Sequence, residues 1–230
     1  MVSDMNRNLI FPLINDQLPG RWGAEMLDYD IGACAYSNGY MKAPSKIFPV
    51  KLTPRIGLRT VVMKFDFMGE SPFETAMNIA DMTDELQKGA DILLPDGFYY
   101  WCEFDSASTP ARKAPWIEQV KFTLHGVRHS RIEEMTLTAS GTVIADGNLE
   151  SPMVAILAPS GSSMTFQGIT IASSKVVTID GINTTVKDSD GNNIFGDTDM
   201  TKWPSLQPGE NAITLTGITS AKISYYPIWK

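Results

Sequence analysis

The run WPSLQPGENAITLTG, residues 203–217, decides the fold class. Pro208 presets φ at the first central position of a turn, and Gly209 supplies the positive φ of the second. From Asn211 onward the chain alternates: Ile213 and Leu215 point one way, Thr214 and Thr216 the other. That period of two predicts a half-buried strand. Upstream, VVTIDGINTTV at 176–186 predicts two short strands joined through Asp180-Gly181, a hairpin signal. A further turn, DSDGNN, follows at 188–193, and residues 221–225 alternate once more. The C-terminal part therefore reads as an antiparallel sheet domain.

Working back, the first strong strand is RTVVMKFDF at 59–67. Val61, Met63, Phe65 and Phe67 fall on one face, with Val62, Lys64 and Asp66 on the other. Ser71-Pro72-Phe73-Glu74 is a capping box with Pro at the first helical position. It predicts a helix of about four turns, with Ala76, Ile79, Ala80, Met82 and Leu86 as its apolar stripe and Gly89 as its αL terminator. ILL, PDG and FYYWCEF over 92–104 predict a hairpin. Phe98, Tyr100, Cys102 and Phe104 share one face, and Tyr99 and Trp101 the other. A strand apolar on both faces is expected to meet a core and another subunit, so Phe98, Tyr99, Tyr100 and Trp101 are the candidate interface residues. A polar loop at 105–115 leads to a strand at 116–127 carrying Val120, Phe122 and Leu124. A weaker strand signal at 135–145 is broken at Ser140-Gly141. These features divide the chain into domains 1–140 and 141–230. Residues 9–14 suit an edge strand or an arm reaching a neighbouring subunit.

The 230 residues, 43% of them hydrophobic, are enough for a real core and unlike a disordered chain. No run of about 18 apolar residues occurs, so no membrane insertion is expected. The start, MVSDMNRNLIFPLIND, lacks a basic region and a small-residue cleavage site, so it does not read as a signal peptide. The net charge is −7 with scattered cations, unlike a nucleic-acid binder. Cys34 and Cys102 are read as free thiols of a protein made in a reducing cytoplasm.

Chemistry-bearing motifs are sparse. His125 and His129 share a strand face but lack a third ligand at recognisable spacing, which favours structural histidines. The 188–193 loop places oxygens at alternate positions. However, Asn193 and Asp199 stand where a calcium loop of the EF-hand type needs Gly and Glu, so a plain connection is favoured. SGSS at 160–163 fits neither a phosphate loop nor a nucleophile elbow. The acid pairs Glu133-Glu134 and Asp197/Asp199 are not placed by any glycosidase motif. No cofactor, metal site or catalytic residue is expected. Trp203, Tyr225, Tyr226 and Trp229 could stack on sugars, although aromatics at strand ends more often serve core or interface.

Gly147-Asn148 before Ser151-Pro152, the VTIDG hairpin, the DSDGNN turn, LQPGEN before ITLT and the aromatic ending near Trp229 together resemble the C-terminal domain of siphophage distal tail proteins. In the N-terminal half, VVMKFDF, a capped helix, the ILL-PDG-FYY hairpin and KFTLHG follow in the same order. The resemblance implies a mainly β (α+β) fold: an N-terminal β-sandwich or split-barrel domain with one α-helix, plus a C-terminal galectin-like β-sandwich. It implies a structural, non-enzymatic virion protein at the tail tip, made in the host cytoplasm. The protein would form a homo-hexamer, a ring hub at the distal end of a long non-contractile tail. The ring would join the tail tube protein to the tail-associated protein and the receptor-binding protein, with DNA passing through the channel unbound. A protruding arm is expected at residues 32–58. Galectins recognise sugar through His and Arg among other residues, and this chain has neither after Arg131. The competing readings are a tail tube subunit and a carbohydrate-binding module of the tail tip.

Overall fold

The computed structural model describes residues 12–34, 36–37, 40–41, 50–51 and 55–230. Expectations for residues 1–11 and for the tip of the arm lie outside those residues. The chain divides into two compact units, Met1–Arg128 and His129–Lys230. The protein is mainly β, with one α-helix among the described residues.

The first unit contains β1 (Leu13–Ile14), β2 (Ala24–Ile31), β3 (Tyr36–Ser37), β4 (Tyr40–Met41), β5 (Val50–Lys51) and β6 (Arg55–Ile56). These are followed by β7 (Arg59–Met68), α1 (Pro72–Gln87), β8 (Ala90–Leu93), β9 (Tyr99–Ala107), β10 (Ala111–Ala114) and β11 (Ile117–His129). The main sheet runs β1-β8-β9-β11-β7-β2, with β10 against β11. The alternation in β7 does what it predicts. Val61, Met63, Phe65 and Phe67 are fully buried and meet Val120, Phe122 and Leu124 of β11. Burying each such side chain contributes about 1.5–3 kcal/mol. Phe65, Phe67 and Phe122 pack as a tilted and edge-on triad with centroids 6.1–6.2 Å apart. The 105–115 stretch is not a loop throughout: β9 runs on to Ala107, and β10 folds back along β11.

Ser71 caps α1 by accepting from the Glu74 N–H at 3.2 Å. The Glu74 carboxylate reaches one residue further back than a capping box requires, to the Glu70 N–H. Gly89 has φ +87, as an αL terminator must. The buried stripe differs from the expected one: Thr75, Met82 and Leu86 face the sheet, while Ala76 and Ala80 are exposed. Thr75 can be buried because its hydroxyl is engaged by the Ser71 and Trp116 carbonyls.

The second unit contains β12 (Glu133–Leu137), β13 (Gly141–Ala145), β14 (Ser151–Pro159), β15 (Met164–Phe166), β16 (Ile169–Ile171) and β17 (Val177–Asp180). Then come β18 (Thr185–Asp188), β19 (Ser205–Leu206), β20 (Gly209–Ile213), β21 (Leu215–Thr216) and β22 (Ile218–Tyr225). One layer is β12-β22-β14-β17-β18. The other joins β13-β20 to β16-β15-β21, because β20 and β21 are one strand interrupted at Thr214. Their inner faces share one core that includes Met153, Leu157, Phe166, Ile179, Ile213 and Ile223. The expected boundary near 140 falls later than the one observed. β12 precedes it yet pairs along its whole length with β22, so its hydrogen bonds place it in the second unit.

The turn after β17 also differs in kind from the expected two-residue Asp-Gly turn. Residues 181–184 form a four-residue connection in which Asp180 accepts from the N–H groups of Ile182 and Asn183. Gly181 is needed there for another reason: a Cβ would lie 2.8 Å from the Met153 carbonyl oxygen.

Gly126 in β11 is under a similar constraint, since its Cβ would lie 2.6 Å from Cys102 Sγ and 2.7 Å from the Trp101 carbonyl oxygen. Gly126→Ala should therefore destabilise the first unit by about 1–3 kcal/mol, measured by urea denaturation followed through tryptophan fluorescence.

Candidate functional site

The candidate interface strand β9 divides its aromatics between two environments. Tyr100 is fully buried, and its hydroxyl donates to Asp96 Oδ2 at 2.5 Å. Burial, then Asp96, pushes its pKa well above the ordinary tyrosine range. Its place in an intermolecular interface is therefore corrected to a core position. Phe98 lies under the Arg128 guanidinium, 4.4 Å from the ring centroid. Tyr99 and Trp101 lie on the opposite face of the strand from Tyr100 and Cys102 and are half-buried.

The stretch expected to form the arm builds a two-stranded ribbon. Ile31 stands opposite Val61, Tyr36 opposite Ile56 and Ser37 opposite Arg55, so the β2–β7 register passes into β3–β6 unchanged. It shifts by one residue before Tyr40 meets Lys51 and Met41 meets Val50 in β4–β5. At the root, the Gly32 N–H donates to the Thr60 carbonyl at 2.8 Å and Cys34 Sγ–H to the Gly57 carbonyl at 3.1 Å.

A surface that the sequence reading missed lies where α1 begins. Thr75 Oγ1 holds the Trp116 carbonyl at 2.9 Å, and Ile117 pairs with Met68, so the helix start, the β10–β11 turn and the end of β7 converge. Phe73 is 76% exposed there and Trp116 49%, with Met68 and Met77 also exposed. Trp116 adopts φ +64, a costly conformation for an aromatic residue. A group of large exposed apolar side chains marks a contact surface. The signal was present in Phe73 and Met77, four residues apart on the helix face away from the sheet.

The remaining candidates have structural partners. Tyr225 is buried; its hydroxyl donates to Glu133 Oε2 at 2.5 Å and accepts from the Asp146 N–H at 2.9 Å. Burial and Glu133 raise its pKa to about 12. Tyr226 packs edge-on against the buried His129 at 5.2 Å, and Trp229 Nε1–H donates to Ser130 Oγ at 2.7 Å. Trp203 stands partly buried against the second core. His125 Nδ1 lies 3.4 Å from Thr60 Oγ1. Asp188 folds its own loop, accepting from the Asp190 and Asn192 N–H groups, and pairs with Lys175 at 3.5 Å. Glu134 is paired with Lys222 at 2.9 Å, and Asp199 accepts from the Thr170 N–H at 2.6 Å. Among the described residues, no three His, Cys, Asp or Glu side chains gather in a metal-binding group. Likewise, no helix there is long and apolar enough to cross a membrane.

Comparison with known proteins gives a fold. No protein-family model matches the chain, and no curated protein sequence matches it. Among solved structures, the chain is similar to the SPP1 Dit protein, described as a paradigm of the hub adsorption apparatus of phages infecting Gram-positive bacteria. The TM-score is 0.73 at 12% identity, over 95% of this chain and 98% of that one. It is also similar to a chain of the phage P2 baseplate in its activated conformation with calcium. There the TM-score is 0.59 at 11% identity, over 89% and 90% of the two chains. A strontium form of that baseplate gives the same TM-score at 12% identity. The fold is thus that of phage hub and baseplate proteins, across both units.

Two measurements check the buried groups. The raised Tyr225 pKa means that the folded state holds this proton more tightly than the unfolded state. The linked stability is complete below the unfolded value of 10 and is lost as pH climbs to about 12. Tyr225→Phe should therefore melt below the wild type at about pH 8, and the gap should narrow by about pH 11, reflecting a linked contribution of roughly 2–3 kcal/mol. Burial, with Asp91 and Glu103, raises the Cys102 thiol to about 12, whereas Cys34 is half-buried. Maleimide labelling should modify Cys34 in the native protein and reach Cys102 only after unfolding, as read by peptide mass spectrometry.

Proposed function

We propose that this chain is the ring-forming hub at the distal end of a long non-contractile phage tail, a homo-hexamer seated between the tail tube and the tip apparatus. The observation that carries this reading is the likeness to the SPP1 Dit protein over both units at nearly full length of both chains. A likeness confined to the first unit would have favoured a tail tube subunit instead. Fold alone does not assign function, so support also comes from surfaces. The first unit presents the exposed group around Phe73 and Trp116 and a ribbon extended from two core strands, and we assign Tyr99 and Trp101, half-buried on β9, to the subunit interface as well. A ring needs several such surfaces rather than one deep pocket.

In this reading the first unit forms the ring and its channel, and the second is a galectin-like sandwich. The neighbours are the tail tube protein, the tail-associated protein and the receptor-binding protein, in the virion. A net charge of −7 suits a channel through which DNA slides without binding, because carboxylates repel phosphate. The protein contributes assembly and attachment rather than a reaction.

Multi-angle light scattering of the purified chain, with negative-stain imaging, should give six copies in a ring with a central hole. Replacing Tyr99 and Trp101 together by Ala should lower that mass while leaving the circular dichroism of the chain unchanged, because interface aromatics often contribute about 2 kcal/mol or more each. Open-ended stacked tubes would favour the tube-subunit reading. A chain that stays monomeric even when mixed with purified tail tube and tip proteins would defeat the hub.

A further inference from the structure

The second unit carries a groove of about 280 Å³ between the β15–β16 hairpin and the segment entering β19. Its lining is chemically mixed: Gln167, Ile169, Asp199, Lys202 and Trp203 all face it. The hairpin supplies the first clue. Phe166 pairs with Ile169, leaving a two-residue loop of Gln167 (φ +50) and Gly168 (φ +81). Positive φ at both positions is the type I′ turn, for which Asn, Asp and Gly are the favoured residues. A longer side chain is placed here at a conformational cost. The Gln167 amide hydrogen-bonds to no other described residue, so that cost is not offset within the fold. A local rule broken without internal compensation is the mark of a position kept for another task.

The other walls fit one kind of ligand. Asp199 Oδ1 accepts from the Thr170 N–H at 2.6 Å, which fixes the carboxylate while leaving acceptor capacity. The Trp203 indole is half-buried, tilted against Phe195 at 5.8 Å and held by the core behind it. Lys202 is paired with Glu150 at 3.1 Å, and Glu150 also accepts from Ser205. The cation is therefore already compensated, and the Asp199 carboxylate faces the groove with acceptor capacity left, so an anionic ligand is disfavoured.

We propose that this groove binds a neutral saccharide. The apolar C–H face of one sugar ring lies on the Trp203 indole. Neighbouring hydroxyls donate to Asp199 and exchange hydrogen bonds with the Gln167 amide, which both donates and accepts. The volume lies at the small end of ligand pockets, roughly 300–1,000 Å³, so one or two rings are held and the remainder of a chain extends outward. This route uses none of the His and Arg residues that galectins employ. The site lies within the second unit and stands whether or not the chain forms rings.

The test titrates the intact chain with maltotriose, cellotriose and triacetylchitotriose, followed by calorimetry and by the indole N–H resonances in NMR spectra. At least one of the three should saturate with a Kd of about 1 mM or tighter and shift the Trp203 resonance. Gln167→Asn is the decisive variant, because Asn suits a type I′ turn better than Gln does. Its melting temperature should hold or rise while affinity falls about tenfold. Trp203→Ala should abolish saturation. Failure of all three sugars to saturate, or undiminished binding in either variant, would overturn the proposal.

Discussion

The ladder between β7 and β11 is the constraint on which the first unit depends. Ten consecutive residue pairs join the two strands, from Ile117 opposite Met68 to Gly126 opposite Arg59. Because side chains alternate across a sheet, this one register decides the facing of Val61, Met63, Phe65 and Phe67 and of Val120, Phe122 and Leu124 together. A slip of one residue would turn either Lys64 and Asp66 of β7 or Lys121 and Thr123 of β11 inward. The helix enters the same arrangement through Thr75, whose hydroxyl bridges Ser71 and Trp116. Asn15 completes the opposite edge: it exchanges hydrogen bonds with the Asp91 backbone and donates to Glu85 at 2.8 Å, holding that carboxyl below its usual range. Core and cap therefore depend on a single pairing, while Asn15 ties the β1 edge to β8 and α1.

The second unit meets a different problem, a strand that must serve two ladders. β20 pairs with β13 and β21 with β15, and the break between them leaves backbone groups of Leu215 without a sheet partner. Ser140 resolves this with one hydroxyl, accepting from the Leu215 N–H at 2.8 Å and donating to its carbonyl at 3.2 Å. The same Ser140-Gly141 pair ends the weak strand signal in the sequence. A residue that reads as a breaker thus satisfies the break in another strand.

Much of this was legible in the sequence because it is local. Period-two alternation in β7, β11 and β20, the Ser71 cap, the αL position of Gly89 and the Pro208-Gly209 turn all rest on neighbours a few residues apart. The features that were not legible depend on distant residues. Ala76 and Ala80 face solvent because Thr75, a polar residue, takes the buried position through a carbonyl supplied by Trp116. Tyr100 could not be told from Tyr99 by composition, since only the sheet decides which alternating face meets the core. The unit boundary was placed late because the pairing of β12 with β22 spans most of the second unit. Trp203 was legible as an aromatic candidate with Asp199 four residues before it, but Gln167 lies 36 residues away in sequence and is brought beside them only by the fold.

The ribbon that prolongs β2 and β7 has a mechanical consequence. An arm attached through a loop would swivel at its root, and a pull on it would peel hydrogen bonds one at a time. Here the register of the core strands continues into β3–β6, so tension on that ribbon enters along the strand axis. Ladder bonds run across that axis, and the β7–β11 bonds therefore resist in shear, all loaded at once.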